Sequence, residues 1–292
     1  MKKIRAVTIT MLCGVAFAAC PSEAPPAPQA PKPDTPAPEP TPSDIGVVFT
    51  DAAGRVLTRS DLEKADDLLS GRAFEQGIPQ EARDAYARAQ KAGENRRFDE
   101  ALEHFLQAKI IAKKWPAPAY GAGWTFLLKG DITKALEAYR DADALAPRGY
   151  LATKLAINTL DREKKGQLMP ATYMRFELQM AKHKDIESRR AFLKSMVDDQ
   201  PDFPPAWWAL SEVLEGPEEV IRAVDEGMKH APDIETRGQL LINKAVSLDR
   251  LGDRAAAVKI LGGLALDPSA AISVEHRAKK ALLGILDGGA SR

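Results

Sequence analysis

The chain has 292 residues, and its 41 Lys and Arg balance 41 Asp and Glu, so the formal net charge is zero. No basic run or Arg-rich face breaks that balance, which leaves a nucleic-acid partner without electrostatic support. Both cysteines, Cys13 and Cys20, stand near the start, so the rest of the chain offers neither an internal disulfide nor a thiolate metal site.

The first residues carry Lys2, Lys3 and Arg5, then an apolar run from Ala6 to Ala19, then Cys20, the layout of an export signal. As a helix that run would cover roughly 20 Å, short of a hydrocarbon core of about 30 Å, so a permanent span is disfavoured. Phe17-Ala18-Ala19-Cys20 resembles the lipobox of bacterial lipoproteins, in which small residues precede a cysteine that is acylated and becomes the new N-terminus. Phe17 departs from the pattern, where Leu is usual. The resemblance implies that residues 1–19 are a removed signal and that Cys20 carries the lipid that holds the protein at a membrane of the bacterial cell envelope. Pro21 is not the Asp that marks inner-membrane retention in enteric-type sorting, so the expected address is the outer membrane, facing the periplasm. Ordinary cleavage after Ala16-Phe17-Ala18 is the alternative and would release a soluble protein with a free thiol.

Residues 20–43 are rich in Pro and Ala with no apolar periodicity, which predicts a disordered, extended linker with a reach on the order of 70 Å. Residues 44–60 contain two β-rich runs, Val47-Val48-Phe49-Thr50 and Arg55-Val56-Leu57-Thr58, around a turn cluster. They predict a small hairpin, followed by a helix that starts at Asp61 with Ser60 as its N-cap. A hairpin is marginal alone, so this one is expected to pack on the first helices as an end cap.

From residue 61 to 287 the pattern is helical, and it repeats. Shifting 82–115 by 34 residues onto 116–149 superposes Ala101-Leu102-Glu103 on Ala135-Leu136-Glu137, Phe105 on Tyr139 and Ala108 on Ala142. Gly or Ala at Gly123, Ala135 and Ala142 lets two helices of a hairpin approach, with Phe105 and Tyr139 filling the gaps. Gly130-Asp131 and Gly252-Asp253 read as helix stop and restart. Gly123, Phe126, Gly130, Ala135, Tyr139, Ala142 and Pro147 fall at the signature positions of a 34-residue unit, so this block resembles a tetratricopeptide repeat. Residues 204–235 and 238–268 look like further copies. The resemblance implies an all-α solenoid of helical hairpins (TPR-like), here with a small N-terminal β-hairpin. Between 150 and 200 the register is poor, with three helical segments where pairs are expected. Ile272 to Leu286 reads as a solvating cap helix.

No catalytic constellation, metal site or cofactor motif emerges: His104, His183, His230 and His276 are scattered, and neither HExxH, GxSxG nor a phosphate-cradling loop occurs. Tetratricopeptide repeats line their inner groove from the first helix of each hairpin, and the resemblance assigns Tyr86, Tyr120, Trp124, Lys154, Asn158 and Trp208 to that lining. Aromatic side chains there suit a peptide or partner helix, although they also serve to complete packing between helices. Lys154 and Asn158 resemble two positions of the clamp by which some members hold a C-terminal carboxylate, with no matching residues identifiable in the next repeat. The expectation is a non-enzymatic protein-binding adaptor or scaffold in an assembly, secretion or pilus-type complex. The alternatives are an enzyme or glycan-binding protein using Tyr173, Arg175 or Glu177 in the 150–200 region, and a structural tether.

Overall fold

The computed structural model describes residues 46–65 and 74–288. Cys20, the signal segment, the Pro-rich stretch and the tail beyond Gly288 lie outside the described residues. Within them no helix is long and apolar enough to cross a membrane.

Strands β1 (Val47–Thr50) and β2 (Val56–Thr58) pair antiparallel. Asp51 shapes the turn between them, its carboxylate accepting from the Ala53 and Arg55 amides at 3.0 and 2.9 Å, while Gly54 takes φ 77°. Helix α1 (Arg59–Glu63) follows without a break. Its cap is Thr58, not Ser60: the Thr58 amide donates to Asp61 while the Thr58 hydroxyl accepts from the Asp61 amide, a reciprocal box that moves the start two residues forward.

Twelve further helices follow among the described residues: α2 (Gln80–Glu94), α3 (Phe98–Ile111), α4 (Ala117–Leu128), α5 (Ile132–Leu145), α6 (Thr153–Lys164), α7 (Thr172–Lys182), α8 (Ile186–Asp199), α9 (Pro204–Val213), α10 (Pro217–Met228), α11 (Ile234–Arg250), α12 (Arg254–Leu266) and α13 (Ile272–Leu286). Each packs mainly on its sequence neighbours, as a solenoid requires. Helix α3 begins at Phe98 and α5 at Ile132, a spacing of 34 residues.

The close approaches have specific causes. A Cβ on Gly121 would meet the Phe105 ring at 2.5 Å, and one on Gly123 would meet the Tyr139 ring at 3.0 Å. The aromatic ring of one hairpin thus occupies the space a glycine leaves on α4. Turns are set by left-handed Gly130 and Gly252, followed by Asp131 and Asp253, whose carboxylates accept from the amides of Lys134 and Ala256.

In the irregular stretch, α7, α8 and α9 share one core built on Phe176, Leu193, Met196, Phe203 and Leu210. Helix α7 starts from Ala171 in the left-handed region, φ 61°, without a side-chain cap of its own. The buried Glu163 of α6 replaces it, accepting from the Tyr173 amide at 2.7 Å and the Ala171 amide at 3.0 Å. Burial raises this carboxyl's pKa and the amides oppose the rise. Glu163→Ala is expected to cost about 1–3 kcal/mol in denaturant unfolding, with Glu163→Gln losing less because one acceptor remains. Equal stability of all three proteins would remove this capping role.

The β-hairpin does not pack on the first helices, as the sequence suggested. It docks at the opposite end of the chain, on α12 and α13. Phe49 covers Gly262, where an added Cβ would come within 2.4 Å of the ring, and Leu57 and Leu62 join a core with Ile242, Leu261, Val274, Leu282 and Ile285. Arg59 pairs with Asp287 at 2.6 Å. The physical reason lies in available surface. Helix α2 turns alanines inward and Phe74 and Ile78 pack at its start, whereas α12 and α13 offer a dented apolar face. The terminal helix is therefore covered by α1 and the hairpin, not a plain solvated cap.

A second long-range contact ties the middle to the end. The Ile272 amide donates to the Arg148 carbonyl at 2.8 Å, the Arg148 side chain donates to the Ala270 carbonyl at 3.1 Å, and Arg148 pairs with Glu275. The array curls until its last hairpin meets the α5–α6 turn.

Candidate functional site

Residues four apart on a helix share a face, so Tyr120 and Trp124 on α4 point the same way, as do Lys154 and Asn158 on α6. The structure places the six expected lining residues in three settings. Tyr86 meets Phe105 and Trp115 at centroid distances of 5.5 and 4.9 Å and belongs to a cluster with Phe74, Ile78 and Tyr150. Phe74 and Ile78, which precede α2, pack in the same cluster.

Tyr120, Trp124 and Trp208 come together in one cluster with Tyr139 and Tyr173. The rings meet edge to face: Tyr120 on Tyr139 at 5.4 Å, Tyr139 on Tyr173 at 6.3 Å, and Trp124 on Tyr173 at 6.4 Å. Tyr139 and Tyr173 are fully buried as a floor, while Tyr120, Trp124 and Trp208 keep part of their surface open. Trp208 donates its indole N–H to Glu212 at 3.1 Å. Burial holds both phenols far above their usual pKa, so they stay protonated. The two hydroxyls lie close enough to influence one another's ionisation, yet neither makes a well-formed hydrogen bond.

Lys154 and Asn158 line a separate cleft of about 290 Å³ with Asp143, Asp161, Arg162, Lys165, Asp233 and Ile234. Lys154 is already paired with Asp143 at 2.8 Å. Asp233 caps α11, accepting from the Glu235 and Thr236 amides, and burial raises its pKa. Glu235 accepts from Ser273 at 2.7 Å, and burial pushes it up to about 7, aided by Asp233 and Asp143 and opposed by Lys154. Lys154 is thus committed to a neighbouring acid, and Arg162 and Lys165 are the other cations of the cleft.

Of the residues named for an enzymatic alternative, Tyr173 and Glu177 share a face of α7, and Arg175 stands about 200° from Glu177 around the helix. They do not converge. Tyr139, Asp143, Asp233 and Glu235 were not legible as site residues. Tyr139 reads as a packing ring; Asp143 reaches α6 from the neighbouring α5, whereas Asp233 and Glu235 meet α6 only because the array curls. Among the described residues no three His, Cys, Asp or Glu side chains are grouped to hold a metal.

No protein-family model and no curated protein matches the chain. Among solved structures it is similar to YrrB, a TPR protein with an unusual peptide-binding site, at 13% identity and TM-score 0.30, over 77% of this chain and 100% of that one. A MamA RS-1 ArsTM double mutant matches at 15% identity and TM-score 0.31, over 74% and 100%. The Cut9-Hcn1 hetero-tetramer of the APC/C matches at 16% and 0.30, over 75% of this chain and 46% of that one. The helical pairs, their glycine contacts and their capped turns make this chain a TPR-like solenoid of helical hairpins with a small N-terminal β-hairpin.

Proposed function

We propose that the protein is a membrane-anchored, non-enzymatic scaffold of the bacterial cell envelope that binds a protein partner through its inner groove. The observation that carries this reading is the gathering of part-exposed Tyr120, Trp124 and Trp208 from α4 and α9 over a buried tyrosine floor. Rings of this kind supply large contact area at low entropic cost and dominate the energetics of many interfaces. Anchoring rests on the lipobox-like Phe17-Ala18-Ala19-Cys20, and the Pro-rich stretch after it supplies reach.

Affinity capture from envelope extract tests the scaffold. Joint replacement of Trp124 and Trp208 by Ala is expected to weaken retention of the partner roughly 30-fold or more, about 2 kcal/mol, with helical circular dichroism unchanged. Undiminished capture by a folded double variant would sink the groove reading. Cys20→Ala is expected to release a folded domain that still binds, and intact mass of the wild-type protein should show acyl chains on Cys20. A mass corresponding to an unmodified thiol would remove the anchor and leave the groove standing.

A further inference from the structure

Glu177 lies one turn beyond Tyr173 on the same face of α7 and is felt by both the Tyr139 and the Tyr173 phenols. It forms no hydrogen bond or ion pair among the described residues, although most acids of this chain find one. Those two phenols belong to the aromatic cluster, in which Trp124 from α4 lies edge-on to Tyr173 at 6.4 Å. The Tyr139 and Tyr173 hydroxyls beside it also lack partners. The neighbouring cation, Arg175, stands about 200° from Glu177 around α7, with its Nη2 buried and without a hydrogen-bond partner among the described residues. Glu177 itself is only half-buried. An acceptor-only group with no ion pair among the described residues, close to two buried phenols, is complementary to a cation.

We propose that this part of the groove receives a basic side chain, Lys or Arg, from the partner protein, with Glu177 as its counter-ion and Trp124 as its aromatic neighbour. The inference rests on the scaffold reading and specifies which partners that scaffold accepts. A cation suits the spot better than a neutral group because it compensates the carboxylate where solvent is scarce. Burial pushes Glu177 up to about 7, so the unliganded site is only partly ionised near neutrality. Docking of a cation favours the ionised form, and affinity therefore rises as pH climbs through about 7 and then levels off.

The cost of keeping an acid here also has a sign. The folded pKa exceeds the unfolded one, so between about 4.5 and about 7 the folded state holds more protons and stability falls as pH rises. Glu177→Gln removes that loss. The variant is expected to be at least as stable as wild type at pH 8, which separates recognition from folding.

The test uses N-acetylated, C-amidated nonapeptide pools with a fixed central Lys, Arg, Gln or Glu and random flanks, titrated against tryptophan fluorescence of the wild-type protein. The Lys and Arg pools are expected to bind roughly 10- to 100-fold more tightly than the Gln pool at pH 8. In Glu177→Gln that preference and its pH dependence should both vanish, and Glu177→Asp should restore part of each. Equal binding of the Gln and Lys pools, a preference that survives in Glu177→Gln, or binding of none of the pools would each overturn the inference. The scaffold reading is decided independently: partner capture from envelope extract that is lost in the Trp124 and Trp208 variant but intact in Glu177→Gln keeps the scaffold and discards the basic side chain.

Discussion

Leu62→Ala is expected to cost about 2–5 kcal/mol, and the loss should be felt at the far end of the chain. Leu62 is 1% exposed and lies in the core that α12 and α13 build, beside Leu57. Truncation removes buried methyl groups and leaves a cavity under the docked hairpin that rigid neighbours only partly fill. Hydrogen exchange locates the effect. In an array whose units contact their neighbours, destabilisation spreads from the site of damage, so amides of α13 should lose protection while those of α4 and α5 keep theirs. The ion pair that accompanies the docking, Arg59 with Asp287, joins residues 228 apart, but both side chains are about half exposed and it adds little. Loss of protection at α2 and α3 instead would place the hairpin at the N-terminal end and refute the docked arrangement.

Tyr139→Ala carries the other large effect, about 3–5 kcal/mol by analogy with Phe truncation, read from urea denaturation. The ring fills the space above Gly123 and touches Tyr120 and Tyr173, so its removal opens a gap where α4, α5 and α7 meet. Tyr139→Phe separates ring from hydroxyl. Because the buried hydroxyl finds no well-formed partner, deleting it should be neutral or slightly stabilising. A loss above 1 kcal/mol in the Phe variant would instead reveal a working hydrogen bond between Tyr139 and Tyr173.

Local features were legible because their causes are local. Gly130-Asp131 stops one helix and caps the next through bonds that reach only three residues, and the 34-residue register records a packing that each hairpin repeats. The cap of α1 was misplaced for the same kind of reason: Thr58 and Ser60 are both good caps, and only the reciprocal bonding of Asp61 with Thr58 distinguishes them. The start of α7 carries no cap of its own in sequence. Its amides are satisfied by Glu163 from the preceding helix, a pairing that depends on how α6 and α7 fold against each other.

The sequence by itself determined the class of molecule, a stack of helical hairpins, and the residues that let those hairpins approach, such as Gly123 facing Tyr139. It also singled out Tyr120, Trp124 and Trp208, which the fold gathers into one cluster. Only the tertiary structure decided that the β-hairpin covers α12 and α13, that Arg148 clasps the start of α13, and that Glu177, close to the Tyr139 and Tyr173 phenols, has no ion pair among the described residues. The difference is one of range. Periodicity and capping act within a few residues, whereas the curl of the array accumulates small rotations at every hairpin and brings together groups with no relation in sequence.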